Sequence, residues 1–94
     1  MPLEETVPPS DLRAVMTAIV GFLHGSWPNA VAISPHNLDL RVSDRIFVEA
    51  ALALQDEGAI MYEALLVGVS SRPCLRDAIV TRKGQLWLGT VNCL

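Results

Sequence analysis

Residues 43–60 read SDRIFVEAALALQDEGAI, and this stretch decides the fold because it joins a helix directly to the start of a strand. Ser43 supplies a helix-capping hydroxyl, and the residues that follow contain no glycine or proline until Gly58. The main apolar positions share one face of a helix, namely Ile46, Phe47, Ala50 and Leu54. The stretch therefore predicts an amphipathic helix over residues 45–57 that ends at a glycine.

Three shorter elements are predicted before this helix. Ser10 precedes an apolar pattern of helical period, which predicts a first helix of about 14 residues that stops near Gly25. Residues 30–33 (AVAI) form a short apolar run between turn signals, which predicts a brief strand. Ser34 and Pro35 then predict a short helix over residues 35–40.

The segment after Gly58 changes to strand-forming residues. Residues 59–69 (AIMYEALLVGV) and 74–81 (CLRDAIVT) predict a β-hairpin around the turn SSRP. Thr81 is positioned to cap a final short helix over residues 82–88 (RKGQLWL). A strand over QLWLGTV explains the same pattern, and periodicity does not distinguish the two.

Length and composition indicate one small folded domain. The chain has 94 residues, of which 51% are hydrophobic and 18% are charged, so it is too apolar for a disordered segment. Residues 1–9 (MPLEETVPP) contain three prolines and no apolar period, and we expect a flexible arm there. Residues 10–94 are expected to form a single domain that needs neither metal nor disulfide.

Charge is distributed unevenly along the chain. The net charge of −3 argues against a strongly basic nucleic-acid-binding surface over the whole protein. Residues 1–71 carry three arginines against nine acidic side chains, a balance of −6, whereas residues 72–94 carry four basic side chains against one acid, a balance of +3. Any nucleic-acid contact is therefore expected in the hairpin and just after it.

Cysteine content and the N-terminal sequence predict a cytoplasmic protein. Cys74 and Cys93 are too few for a secreted disulfide scaffold and lack metal-ligand spacing, so reduced thiols are expected. Residues 14–23 (AVMTAIVGFL) resemble the apolar part of a signal peptide, but the preceding residues are acidic rather than basic. The run is also too short to span a bilayer, so no membrane association is expected.

Two short motifs resemble those of small bacterial winged-helix domains. DEGAI (residues 56–60) is similar to the junction between the long helix and the first wing strand, and AIVTRKGQLWL (residues 78–88) is similar to the end of the second wing strand. The order of helix, strand, helix, helix and hairpin agrees with this resemblance. It implies an α+β winged helix-turn-helix fold with three N-terminal helices, a short strand, a β-hairpin wing and a short C-terminal helix.

The resemblance implies a DNA-binding transcriptional regulator, dimeric and contacting duplex DNA. The helix that opens at Ser43 would be the recognition helix, and the turn around residues 70–73 would form the tip of the wing. The expected nucleic-acid-binding residues are, for bases, Arg45 and Gln55 and, for phosphates, Arg72, Arg76, Arg82 and Lys83.

The chemistry of the same helix favours an alternative function. Opposite its apolar face lie Arg45, Val48, Glu49, Leu52, Gln55 and Asp56. Glu49 and Asp56 would repel phosphates, and Val48 and Leu52 would leave apolar area in water unless the wing, the arm or a partner covers them. A protein-interaction module, with a homodimer or another protein bound at Val48 and Leu52, is therefore the competing prediction.

No catalytic, cofactor or metal motif is recognisable, so we expect neither an enzyme nor a small-molecule ligand. His24 is expected to interact with the end of the first helix, and His36 to be an exposed polar residue. A nucleophilic site made by His36, Asp39 and Cys74 is an alternative that nothing in the spacing requires. Trp27 and Trp87 are expected to close the core.

Overall fold

The computed structural model describes residues 11–68 and 72–92. Three α-helices, one 3₁₀ turn and four strands follow one another along the chain. They are α1 (Leu12–Ser26), β1 (Val31–Ile33), the 3₁₀ turn (Pro35–Asn37), α2 (Asp44–Asp56), β2 (Ile60–Met61), β3 (Ala64–Leu66), β4 (Cys74–Val80) and α3 (Arg82–Asn92). The mixed α+β class predicted from the sequence is confirmed. The expected flexible arm, residues 1–9, and Cys93 lie outside the described residues.

The four strands form one antiparallel sheet with β4 at its centre. β1 pairs with one edge of β4, while β2 and β3 pair one after the other with its opposite edge. The register places Ile60 opposite Val80 and Leu65 opposite Leu75. The first strand of the predicted hairpin is thus divided into two, with residues 62–63 between them.

A bulge in β4 explains part of this irregularity. Asp77 has a φ of 51°, a left-handed conformation that an aspartate tolerates better than a bulky residue. Arg76 and Asp77 are both exposed in succession, after which the alternation of buried and exposed side chains resumes at Ala78. The pairing of β4 with β1 shifts register at the same place.

The core lies between the sheet and the helices α1 and α2. Fully buried side chains from every layer meet there, including Ile19, Leu23, Ile33, Phe47, Leu54 and Leu75. The apolar face predicted for α1 is therefore buried as expected. Asp11 caps this helix by accepting a 2.8 Å hydrogen bond from the Ala14 amide, and α1 continues through Gly25 to Ser26. The helix thus ends one residue beyond the predicted stop near Gly25, and the predicted cap, Ser10, lies outside the described residues.

The predicted second helix over residues 35–40 is wrong. Only residues 35–37 are helical, in a single 3₁₀ turn that the Asn37 side chain closes by accepting a 2.8 Å hydrogen bond from the Ser34 amide. Leu38 is already extended, and it and Val42 are buried in the core. The extended backbone of Leu38, with φ −88° and ψ 144°, ends the helical turn after Asn37. Two α-helices and a turn, rather than three helices, thus precede the hairpin.

The last element is a helix, which resolves the alternative that the sequence left open. Thr81 caps α3 as predicted, because its hydroxyl accepts a 3.1 Å hydrogen bond from the Gly84 amide. The same hydroxyl donates to the Gly58 carbonyl, so the start of α3 is joined to the end of α2.

Candidate functional site

The helix α2 forms as the sequence predicts. The Ser43 hydroxyl accepts a 3.2 Å hydrogen bond from the Ile46 amide, and the helix gives way to Gly58, which has a φ of 78°. Its buried face consists of Phe47, Ala50, Ala51 and Leu54. The opposite face is solvent-accessible to differing degrees, so the residues predicted to contact a partner lie on the surface.

Arg45 and Gln55 are both exposed on α2. The Nε atom of Arg45 lies 3.2 Å from a carboxylate oxygen of Glu49, one helical turn away. The Arg45 side chain is 85% exposed, so this ion pair is weak in water. Gln55 follows near the acidic end of the helix, beside Asp56 and Glu57.

Arg72 connects the hairpin to the start of α2. Its Nε donates a 2.7 Å hydrogen bond to Asp44, and its Nη2 donates a 3.0 Å bond to the Val42 carbonyl. The guanidinium therefore has two partners within its own chain. A phosphate would have to displace the carboxylate to use this arginine fully.

Arg76 lies on the face of the sheet that points away from the helices. Its Nη2 is 3.5 Å from a carboxylate oxygen of Glu63, and both side chains are more than half exposed. Because Glu63 follows β2 and Arg76 belongs to β4, the pair links two neighbouring parts of the sheet. Arg76 therefore lies on a different surface of the domain from the exposed face of α2.

Arg82 and Lys83 are exposed in the first turn of α3, and neither makes an ion pair within the part of the chain that the structure describes. A Cβ added at Gly58 would lie 3.7 Å from the Lys83 side chain, so Lys83 is beside the C-terminal end of α2. Arg72 is at the opposite end of this 13-residue helix, about 20 Å away along its axis. The basic side chains that cluster in the sequence are dispersed in space.

An apolar groove lies between α2 and the hairpin. Its lining includes Val48, Val67 and Pro73, and its volume is about 400 Å³. Asp44, Arg45 and Glu49 border it, and Arg72 is bound to Asp44 at the same end. We use the name α2 groove for these residues together with Leu52, which lies outside the lining, one helical turn beyond Val48, and extends the apolar surface along α2.

The two predicted interface residues differ in burial. Val48 is half-buried in the groove, where Val67 and Pro73 of the hairpin segment also line the cavity. Leu52 is 49% exposed, and Val67 on the opposite wall is 66% exposed. Sequence reasoning missed Val67, which was predicted within the first hairpin strand, and Pro73, the last residue of the predicted turn. Ser70 and Ser71, expected in the tip of the wing, lie outside the described residues.

Within residues 11–68 and 72–92, no group of three or more His, Cys, Asp or Glu side chains could hold a metal ion. Cys74 is a half-buried free thiol, and His36 is exposed in the 3₁₀ turn. Burial raises the pKa of Tyr62 above its ordinary value of 10.0. Trp87 packs against the core as expected, whereas Trp27 is 51% exposed, so the prediction that it closes the core is wrong. Trp27 leaves the helical conformation at the end of α1, with φ −56° and ψ 139°, and does not join the buried core.

Comparison of this chain with protein-family models, with curated proteins and with solved structures gave no significant match. Among the described residues, no helix combines the length and apolar character needed to cross a membrane.

Proposed function

We propose that this chain is a winged-helix-type protein-interaction module, and that the α2 groove binds a segment of a protein partner. The order of helix, strand, turn, helix and strands supports the fold part of this proposal, together with β1 lying beside β4. The winged-helix part of the proposal rests on this arrangement and on the two motifs at residues 56–60 and 78–88.

The observation that carries the proposal is the pairing of three arginines expected to contact DNA. Arg45, Arg72 and Arg76 each lie within 3.5 Å of a carboxylate oxygen from Glu49, Asp44 and Glu63, respectively. A nucleic-acid interface instead presents an excess of unpaired positive charge, because counterion release from phosphates drives its binding. The paired arginines favour a neutral partner over a polyanion.

The chemistry of the groove indicates what this partner presents. Val48, Leu52 and Val67 offer apolar area, and the two acids and two arginines at the border cancel in charge. Burial of exposed apolar surface is favourable by about 25 cal/mol per Å². We therefore expect the partner segment to insert one or two aliphatic or aromatic side chains and to carry no run of like charges.

A random peptide library displayed on phage tests this function. Peptides selected on the wild-type domain are expected to contain apolar anchors and to bind Leu52→Asp at least about tenfold more weakly. Leu86→Asp is the matched control, since Leu86 is a 65% exposed leucine on α3 outside the groove. Selected peptides that bind wild type and Leu52→Asp equally well would contradict the proposal.

One observation favours the second candidate, a DNA-binding transcriptional regulator. Arg45 and Gln55 are exposed on α2, and Arg82 and Lys83 make no ion pair with the other described residues. These four side chains, with Arg72 and Arg76 released from their carboxylates, would form the DNA contact. For either function we propose the cytoplasm as the compartment, in keeping with the free thiol of Cys74.

A further inference from the structure

We infer that the outer face of the sheet is a dimer interface whose occupant is a second copy of this chain. This face is separate from the α2 groove, so the inference goes beyond the proposed function. We define the outer face by the cross-strand pairs Met61–Ile79, Ala64–Arg76 and Leu66–Cys74.

The strand register determines which side chains belong to this face. Residues directly opposite each other in an antiparallel pair point to the same side of a sheet. Ile60 and Val80 are opposite each other and buried, so their side points to the core. The next pair along the strands, Met61 and Ile79, must then point outward.

The outer face is more apolar than an exposed sheet face normally is. Antiparallel sheets that contact water on one side usually alternate apolar residues inward with polar residues outward. Here Met61 is 61% exposed at one end of the face and Leu66 is 46% exposed at the other. Ile79 and Cys74, their half-buried neighbours on β4, extend each apolar end. Exposed apolar surface of this kind is typical of a face that another protein surface covers.

Charge complementarity indicates that the cover is the same face of another copy. Glu63 precedes β3 and Arg76 belongs to β4, and their side chains lie 3.5 Å apart between the two apolar ends. A two-fold axis parallel to the strands, between β3 and β4, would place each strand over the neighbouring strand of the partner. Under that symmetry Met61 contacts Ile79, Leu66 contacts Cys74, and Glu63 faces Arg76 across the interface. The contacts at the two ends are then between apolar groups, and the charged contact at the centre is between unlike charges.

The size of the face sets the expected affinity. β4 has seven residues and is about 24 Å long, and the three strands side by side span about 10 Å between the outer strand axes. This footprint is well below the roughly 800 Å² per partner of a standard interface. The dimer is therefore expected to be weak, with a dissociation constant of about 0.1–1 mM.

Sedimentation equilibrium of the full chain, from about 10 µM to about 1 mM, tests the inference across that range of affinity. The wild type is expected to approach twice the mass of one chain. Met61→Asp is expected to weaken the dimer by about tenfold or more, because it buries an unpaired charge. Leu86→Asp, the same kind of change on α3, should leave the dimer unchanged.

A charge-swap pair makes the test specific for the proposed symmetry. Glu63→Arg alone and Arg76→Glu alone each place like charges across the interface, so each is expected to be monomeric. An equimolar mixture of the two variants restores both unlike pairs between the chains and is expected to form heterodimers. Circular dichroism of each variant checks that it is folded.

Three results would overturn the inference. They are a wild type that stays monomeric at the highest concentration, a mixture no more associated than its two components, and a dimer that Leu52→Asp dissociates while Met61→Asp does not. The last result would place self-association in the α2 groove. Peptide binding in the groove is expected to be unaffected by Met61→Asp, so the two proposals can fail independently.

Discussion

Arg72 donates a 2.7 Å hydrogen bond from its Nε to the Asp44 carboxylate, across 28 residues of sequence. The same guanidinium donates to the Val42 carbonyl at 3.0 Å. One side chain thereby fixes the end of the hairpin loop to the start of α2. This contact lies at one end of the α2 groove. It also gives Arg72, which was predicted to contact a DNA phosphate, two partners within its own chain.

Replacing Arg72 with alanine is expected to lower the free energy of unfolding by about 1 kcal/mol, because a half-exposed ion pair contributes little and the carbonyl bond adds to it. Urea denaturation measures this change. Arg76→Ala is the control, and it should cost less, since its ion pair is longer and more exposed. Equal losses for the two variants would mean that the Arg72 contacts do not connect the hairpin to α2.

Gly84→Ala is expected to destabilise the domain by about 1–3 kcal/mol or more, as overpacking does. An added Cβ would lie 2.1 Å from the Ala59 carbonyl oxygen, so α3 could not keep its position. Gly21→Ala is the matched control within α1, because nothing lies within 4 Å of its added Cβ. That variant should gain about 0.5–1 kcal/mol from its lower unfolded-state entropy. Thermal unfolding of both variants gives the comparison, and a stable Gly84→Ala would refute the close packing.

Thr81→Val is expected to cost about 1 kcal/mol or more, because it removes both the α3 cap and the bond to the Gly58 carbonyl. Thr81→Ser retains the hydroxyl and should stay close to wild type. Chemical denaturation followed by circular dichroism distinguishes the two. If valine and serine behaved alike, the hydroxyl would have no role in joining α2 to α3.

The raised pKa of Tyr62 predicts a loss of stability in alkaline solution. Its phenol is desolvated in the fold, so the unfolded chain ionises first as pH rises through about 10. Between the unfolded and folded pKa values the native state binds more protons, so the free energy of unfolding falls with pH. Tyr62→Phe should reduce this fall. An identical alkaline decline in the two proteins, measured by urea denaturation at several pH values, would exclude Tyr62 as its source.

The sequence predicted α2 and the hairpin because their signals are local and agree with one another. Ser43, Gly58 and the apolar period each indicate the same helix, and the structure contains it with a buried face close to the expected one. The prediction for residues 35–40 was wrong in extent, because the capping signal at Ser34 and Pro35 indicates where a helix begins but not where it ends. The helical turn starts at Pro35, but the backbone is already extended at Leu38.

The candidate site was predictable in composition but not in arrangement. The helical period alone placed Val48 and Leu52 on the outer side of α2. The partners of Arg72 and Arg76 depend on strand register and on contacts between distant segments, which no local pattern contains. Val67 was missed for the same reason, since only the folded hairpin brings it to α2.

Binding of duplex DNA by the wild-type chain at low salt is the most direct test of the central claim, that the dispersed and partly paired basic side chains do not form a DNA-binding surface and that the domain binds protein. Fluorescence anisotropy with a labelled duplex at about 20 mM salt favours any electrostatic contact. We predict no binding up to a protein concentration of about 100 µM, the upper end of non-specific affinities. Salt-dependent binding that Arg76→Glu with Lys83→Glu abolishes would contradict the account and establish the DNA-binding function instead.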